Sequence, residues 1–251
     1  MQKILDFVNN MQDRATKDLV KVSGSGKATK EVIDFKSGQA EVITVRGGAI
    51  EKAAITKLTL KDIKPPAGDK TVNYMVYQME IFPENPYCPM GHFNTEWSLE
   101  GQGSYHMNLD LFPAVPVEED LKLMAGLMDK VADQFSRDRV KMRVGLDEQY
   151  NMPHWAKPLA TKVGCKLMNL NNKDLDLFIS AYHTFFDGYI EIVRKRRDTP
   201  FTEADKKAKI ARNSRWLEYI TIKDQAVRLG LAAGIPPQVL IALSYPPSAA
   251  F

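Results

Sequence analysis

Two short stretches of this 251-residue chain collect the side chains best suited to binding a polar ligand and moving protons. In residues 91–99, His92, Asn94, Glu96 and Ser98 fall at every second position; in residues 104–112, His106, Asn108 and Asp110 do the same. A strand sends alternate side chains to opposite faces. Each stretch, read as a strand, therefore carries a polar row backed by an apolar one: Phe93, Thr95, Trp97 and Leu99 in the first, Tyr105, Met107, Leu109 and Leu111 in the second. Paired as a hairpin through Glu100-Gly101-Gln102-Gly103, they merge the polar rows into one patch. Imidazole, carboxyl and amide groups held side by side can donate, accept and relay protons. Gln78 and Glu80 share one face of the preceding stretch, opposite Met75, Tyr77, Met79 and Ile81. The plain alternative is the solvated face of a half-exposed antiparallel sheet. Two details oppose it: the patch contains no Lys or Arg, and the chain has helices enough to cover both faces.

The elements that must position this patch follow from periodicity. Residues 1–19 predict an amphipathic first helix with Ile4, Leu5, Val8, Met11 and Leu19 toward one side. Ser23-Gly24-Ser25-Gly26-Lys27 is a loop, since it lacks the full phosphate-loop spacing and no apolar strand precedes it. Residues 41–46 and 50–60 are strands meeting at Gly47-Gly48, and residues 64–69 break the chain before a third strand at 71–82. With 91–99 and 104–112 these make a sheet whose short connections imply antiparallel pairing. Helices follow at 117–135, 175–193 and 204–231, the last started by Thr202 with acids in its first turn, and a short one at 238–243. Strands first and helices later predict an α+β fold: an α/β/α sandwich with a central, mainly antiparallel sheet flanked by helices, in one domain over residues 1–251.

Other features narrow the function classes. Hydrophobic residues at 44%, charged residues at 26% and a net charge of +3 describe an ordinary globule, too weakly basic to argue for nucleic acid. No apolar run reaches the length of a membrane span, and the charged amino terminus is unlike a signal peptide. Cys88 and Cys165 have no metal-type spacing and read as two buried thiols of a reducing compartment, which makes the expected location cytoplasmic. His154 sits in a loop where it could edge a pocket, and His183 reads as a helix-surface or packing residue. The four histidines form no H-x-x-x-H or H-E-x-x-H pattern, so no metal site is expected. Nor is there a nucleophile elbow or a dinucleotide fingerprint. Arg194–Arg197 with Lys206, Lys207, Lys209, Arg212 and Arg215 is the strongest charge feature; it reads as a solvated helix end, or as a docking face for an acidic redox partner or for propionate groups.

Three segments carry a family resemblance. Met79-Glu80-Ile81-Phe82-Pro83, Pro89-Met90-Gly91-His92-Phe93-Asn94 and Tyr105-His106-Met107-Asn108-Leu109-Asp110-Leu111-Phe112-Pro113 resemble the central strands of the ferredoxin-dependent bilin reductases. Residues 182–192, Trp216-Leu217-Glu218-Tyr219 and Lys223-Asp224-Gln225-Ala226 resemble that family's tyrosine-rich helices and aspartate segment. The resemblance implies reduction of a biliverdin-type linear tetrapyrrole, with reduced ferredoxin as electron donor and partner and no bound cofactor. It implies Asp224 as proton donor, with Asn94 at the position of the family's catalytic aspartate. It implies His92 and His106 as orienting groups, Asp110 as their support, and Asn108, Glu96, Gln78 and His154 around the ligand. The same segments are similar to aerobic coproporphyrinogen III oxidase, of related fold, in Phe82-Pro83-Glu84-Asn85-Pro86-Tyr87 and Gly91-His92-Phe93-Asn94. There Phe82 and Tyr87 replace two histidines, and Leu167-Met168-Asn169-Leu170 lacks the acids of the matching segment. Two alternatives stand beside the reductase: a non-catalytic tetrapyrrole-binding protein on the same fold, with catalysis lost at Asn94, and, from this second resemblance, an oxidative decarboxylase.

Overall fold

The computed structural model describes residues 2–63, 71–98 and 104–250. Its centre is a seven-stranded sheet: β1 (Lys27–Phe35), β2 (Gly38–Gly47), β3 (Ile50–Ile63), β4 (Val72–Pro83), β5 (Met90–Ser98), β6 (Ser104–Phe112) and β7 (Cys165–Leu170). Their spatial order is their chain order, and every neighbouring pair is antiparallel. The turn between β2 and β3 needs its glycines: Gly47 and Gly48 have φ of 117° and 57°, and a Cβ on Gly48 would lie 2.0 Å from the Ser23 carbonyl oxygen. The expected break at 64–69, the turn at 100–103 and Leu99 lie outside the described residues.

Two strands add to the sequence-based expectation. β1 is almost entirely exposed, so KATKEVIDF has no apolar face to betray it; β2 supplies its ladder and makes it an edge strand. β7 is short and carries Lys166 and Asn169 among its apolar residues, and it forms only because β6 offers a free edge.

One face of the sheet packs on α1 (Gln2–Ser23), α2 (Glu118–Gln134) and α4 (Leu175–Arg196). Ile43, Ile55, Tyr77, Met79, Phe93, Trp97, Met107 and Leu109 meet Phe7, Met11, Met124, Phe178, Tyr182 and Phe185 in a single apolar cluster. Arg196 ties two of these helices together. It grips the buried Asp120 in the first turn of α2 through Nε–Oδ2 at 2.8 Å and Nη2–Oδ1 at 2.9 Å.

The opposite face is covered by α5 (Glu203–Ile222), α6 (Gln225–Ala232) and α7 (Pro237–Ser244), with the short α3 (Leu146–Gln149) and the segment after it at one end. Helices on both faces of an antiparallel sheet make the expected α/β/α arrangement. The single helix expected over 204–231 is two, however. Ile220-Thr221-Ile222 ends α5 in a β-branched run, and Asp224 leaves helical geometry to accept the Ala226 N–H at 2.7 Å, capping α6.

Candidate active site

The ladder register lays the polar side chains of four strands, β3 to β6, in rows across the second face. Thr56, Gln78, Asn94 and Asn108 are successive cross-strand partners, as are Glu80, His92 and Asp110 in the adjacent row and Val76, Glu96 and His106 on the other side. The expected merging of two polar rows into one patch therefore holds, and the patch is roofed by helices instead of solvated.

Part of the patch opens into a cleft of about 300 Å³ between β3–β5 and α6–α7. Gln78, Asn94 and Glu96 look into it from the sheet and Asp224 from the start of α6; Leu58, Leu60, Val227, Ile235 and Leu240 are among its apolar walls. Among the described residues, no Lys, Arg or His lines it. Burial pushes the Glu96 and Asp224 carboxyls up from their ordinary values, and for Glu96 the nearby Asp224 adds to the rise. Capping, through the Ala226 N–H, pulls Asp224 partly back.

A buried hydrogen-bonded chain runs inward from this cleft. Gln78 Nε2 donates to Glu80 Oε1 at 2.9 Å, His92 Nδ1 lies 2.7 Å from the same oxygen, and His92 Nε2 lies 2.7 Å from Tyr150 Oη. Gln149 Nε2 donates to Tyr150 Oη at 3.2 Å, so the phenol's proton points to Nε2 and Nδ1–H donates to Glu80. His92 is wedged between Phe112, stacked at 5.7 Å, and the rings of Tyr150 and Trp216 at 5.1 and 5.4 Å. It does not reach the cleft wall; it positions Glu80. Glu80 is fully buried, its carboxyl raised by that burial and lowered by His92 and Gln78.

The remaining expected site residues separate. Asp110, fully buried, accepts the backbone N–H groups of Thr161, Lys162, Val163 and Gly164 at 2.9–3.3 Å and pins that segment to β6. The approach is so close that a Cβ on Gly164 would meet the Leu109 carbonyl oxygen at 1.8 Å. His106 lies toward β7, accepting the Asn169 N–H at 3.3 Å, with Ser104 Oγ at 3.2 Å; burial lowers its pKa. Asn108 is buried beside Asn94, its Oδ1 without a partner. His154 is exposed, paired with Glu218 at 2.7 Å outside the cleft. Much of the basic cluster is occupied within the chain: Lys195 and Arg196 with Glu119 and Asp120, Lys209 with Glu51, and Arg212 with the Phe112 carbonyl.

The family model of coproporphyrinogen III oxidase matches residues 3–251. This chain belongs to that family. The expectation of a ferredoxin-dependent bilin reductase is thereby overturned, and biliverdin and ferredoxin lose their support with it. The quoted segments misled for a physical reason. They are the central strands and covering helices of a fold the two families share, so they report the scaffold before they report the chemistry. The bilin reading had also made Asn94 a replaced catalytic aspartate; in the structure Asn94 is a cleft-lining amide between Gln78 and Asn108.

Several residues of the site escaped the sequence reading. Tyr150 and Trp216 reach His92 from segments far along the chain, and no local pattern links them. Lys52, on β3, is 2% exposed and donates to the Ile241 and Tyr245 carbonyls at 3.0 and 2.5 Å, holding the end of α7. Burial, with help from Arg46, pushes its ammonium down to about 7. Alternation does place Lys52 on the polar face, which is the signal that could have found it. Among the described residues, no three His, Cys, Asp or Glu side chains are grouped to hold a metal ion, and no helix is long and apolar enough to cross a membrane.

Proposed function

We propose that this protein is an oxidoreductase of the coproporphyrinogen-oxidase type, acting on a reduced tetrapyrrole seated in the cleft between the sheet and α6–α7. The family match over residues 3–251 carries the reading, and the cleft supplies a matching site. Apolar walls accept pyrrole rings and their alkyl groups, while Glu96, Asp224, Asn94 and Gln78 offer oxygens to pyrrole N–H donors. Asp224 is the residue best placed to exchange a proton with the substrate, because a carboxyl raised by burial holds and releases a proton nearer to neutral pH. The chain Gln78–Glu80–His92–Tyr150 fixes the amide of Gln78 from behind.

The reaction class is oxidative decarboxylation of a propionate side chain with dioxygen as acceptor. The Cα–carboxylate bond breaks to release carbon dioxide, the neighbouring carbon loses hydrogen as a vinyl group forms, and two electrons reduce oxygen. A propionate, one proton and O₂ thus give a vinyl group, CO₂ and H₂O₂. Aerobic incubation of the protein with coproporphyrinogen III, read by CO₂ release and by the product's mass, tests this. Turnover abolished by Asp224→Asn is expected; absence of product despite saturable binding would overturn the decarboxylase reading.

A further inference from the structure

One wall of the cleft, α7, hangs between a glycine corner and a buried amine. Leu240, Leu243 and Ser244 of this helix line the cleft. The chain enters α7 through Gly234, at φ 79°, and Pro236-Pro237; the corner has room to move, since a Cβ on Gly234 would meet nothing within 4 Å. At the far end the Ile241 and Tyr245 carbonyls both accept from Lys52 Nζ on β3, at 3.0 and 2.5 Å. From α5, Trp216 Nε1 adds a bond to the Ser244 carbonyl at 2.8 Å. The amine sits where a full charge is costly, being 2% exposed under α7. Arg46 of β2 repels it, and Glu80 of β4 attracts it but gives Oε1 to Gln78 and to His92 of β5. Its neighbour Glu51 is turned to Lys209 instead. The Phe82 ring lies 5.6 Å from Nζ. Residues 229–251 hold no Asp, Glu, Lys, Arg or His, so α7 and the segment after it bring only carbonyls and the Tyr245 phenol to the amine.

While α7 is docked, the neutral amine is the favoured form, and its two N–H groups suffice for the two carbonyls. Once α7 swings away and water reaches Lys52, the ammonium is favoured. We infer that α7 closes over the cleft with release of the Lys52 proton and opens with its uptake, so that acid loosens this wall and alkali seals it. Docked, the group titrates at about 7; undocked, it returns toward its ordinary 10.5. Between those values only the undocked state holds the proton, so docking strengthens by up to about tenfold for each pH unit gained. Below about 7 both states are protonated and the dependence ends. Access to the cleft is thereby tied to pH whatever the cleft binds.

Amide hydrogen exchange across residues 239–245, corrected at each pH for the intrinsic exchange rate, tests the coupling from about pH 6 to about pH 9. Protection of α7 should stay level up to about pH 7 and then climb, by up to about tenfold per unit, while α4, on the other face of the sheet, shows no such climb. Lys52→Arg, a cation throughout this range, should keep α7 protection low and level; Lys52→Met, never charged, should make it level as well. Protection in the parent that ignores pH, a climb shared equally by α4, or a climb that persists in either variant would overturn the inference. Should neither variant fold, the ¹⁵N resonance of the lysine side chain in the parent decides. A Lys52 Nζ that titrates near neutrality supports the coupling, and one that titrates near its ordinary value overturns it.

Discussion

The two faces of the sheet are built on opposite plans from the same strands. On the face toward α1, α2 and α4, Tyr77, Phe93, Trp97, Met107 and their neighbours belong to one unbroken apolar cluster. On the other face the apolar residues fall into two separate clusters, one around Phe82, Met90, Phe112 and Trp216 and one around Leu58, Leu60, Val239 and Leu240. The polar rows of Gln78, Glu80, His92, Asn94 and Glu96 occupy the same face. The first face therefore supplies the burial that holds the fold. The second gives up continuous burial for a cleft and a partly satisfied polar floor, the pattern expected where local stability is sacrificed to a site.

Substitutions across the two faces can break this contrast. Phe93→Ala on the apolar face should cost about 3–5 kcal/mol, read as a lower denaturation midpoint, because Phe93 is fully buried against Tyr182, Phe185, Phe186 and Tyr189. Asp110→Ala comes next, at about 3 kcal/mol, since four backbone N–H groups lose their acceptor; amide exchange at residues 161–164 should accelerate selectively. Were it silent, the polar face would owe nothing structural to Asp110.

Within the cleft the effect should depend on pH more than on packing. Burial raises Glu96 and Asp224 above their unfolded values, so the native state binds more protons in the window between the two values. Their contribution is therefore lost as pH rises through that window. The Glu96→Gln/Asp224→Asn double variant, which keeps a capping side chain at 224, should gain stability relative to the parent as pH rises from about 4 toward neutrality. A difference independent of pH would show that the two carboxyls titrate as they do in the unfolded chain. Smallest of all, Lys195→Ala should leave the unfolding midpoint unmoved, because its pair with Glu119 is exposed.

Alternation made one face of the site legible in the sequence. Spacing by two put His92, Asn94, Glu96, His106, Asn108 and Asp110 on one face, and the β5–β6 register bears this out. What alternation cannot convey is the roof. Whether a polar side chain opens to a cleft, as Asn94 does, or is sealed under rings, as His92 is, depends on helices encoded more than a hundred residues later. The break at Asp224 was hidden because Lys223 and Gln225 beside it are good helix formers, so only the β-branched run before it and the cap itself mark the new start. β1 and β7 were missed because their pairing partners, not their own patterns, hold them in the sheet.

The strict meander also bears on how the molecule comes together. From β1 to β6 every strand is paired to its neighbour in the chain, so these strands can zip up through successive hairpins at modest entropic cost, whereas β7 joins β6 across the longer stretch that holds α2 and α3. α6 and α7 follow all seven strands and must travel back to β2, β3 and β4 to complete the cleft. The wall is thus encoded after its floor. Lys52, waiting on β3 for the carbonyls at the end of α7, is the latch that this last step closes.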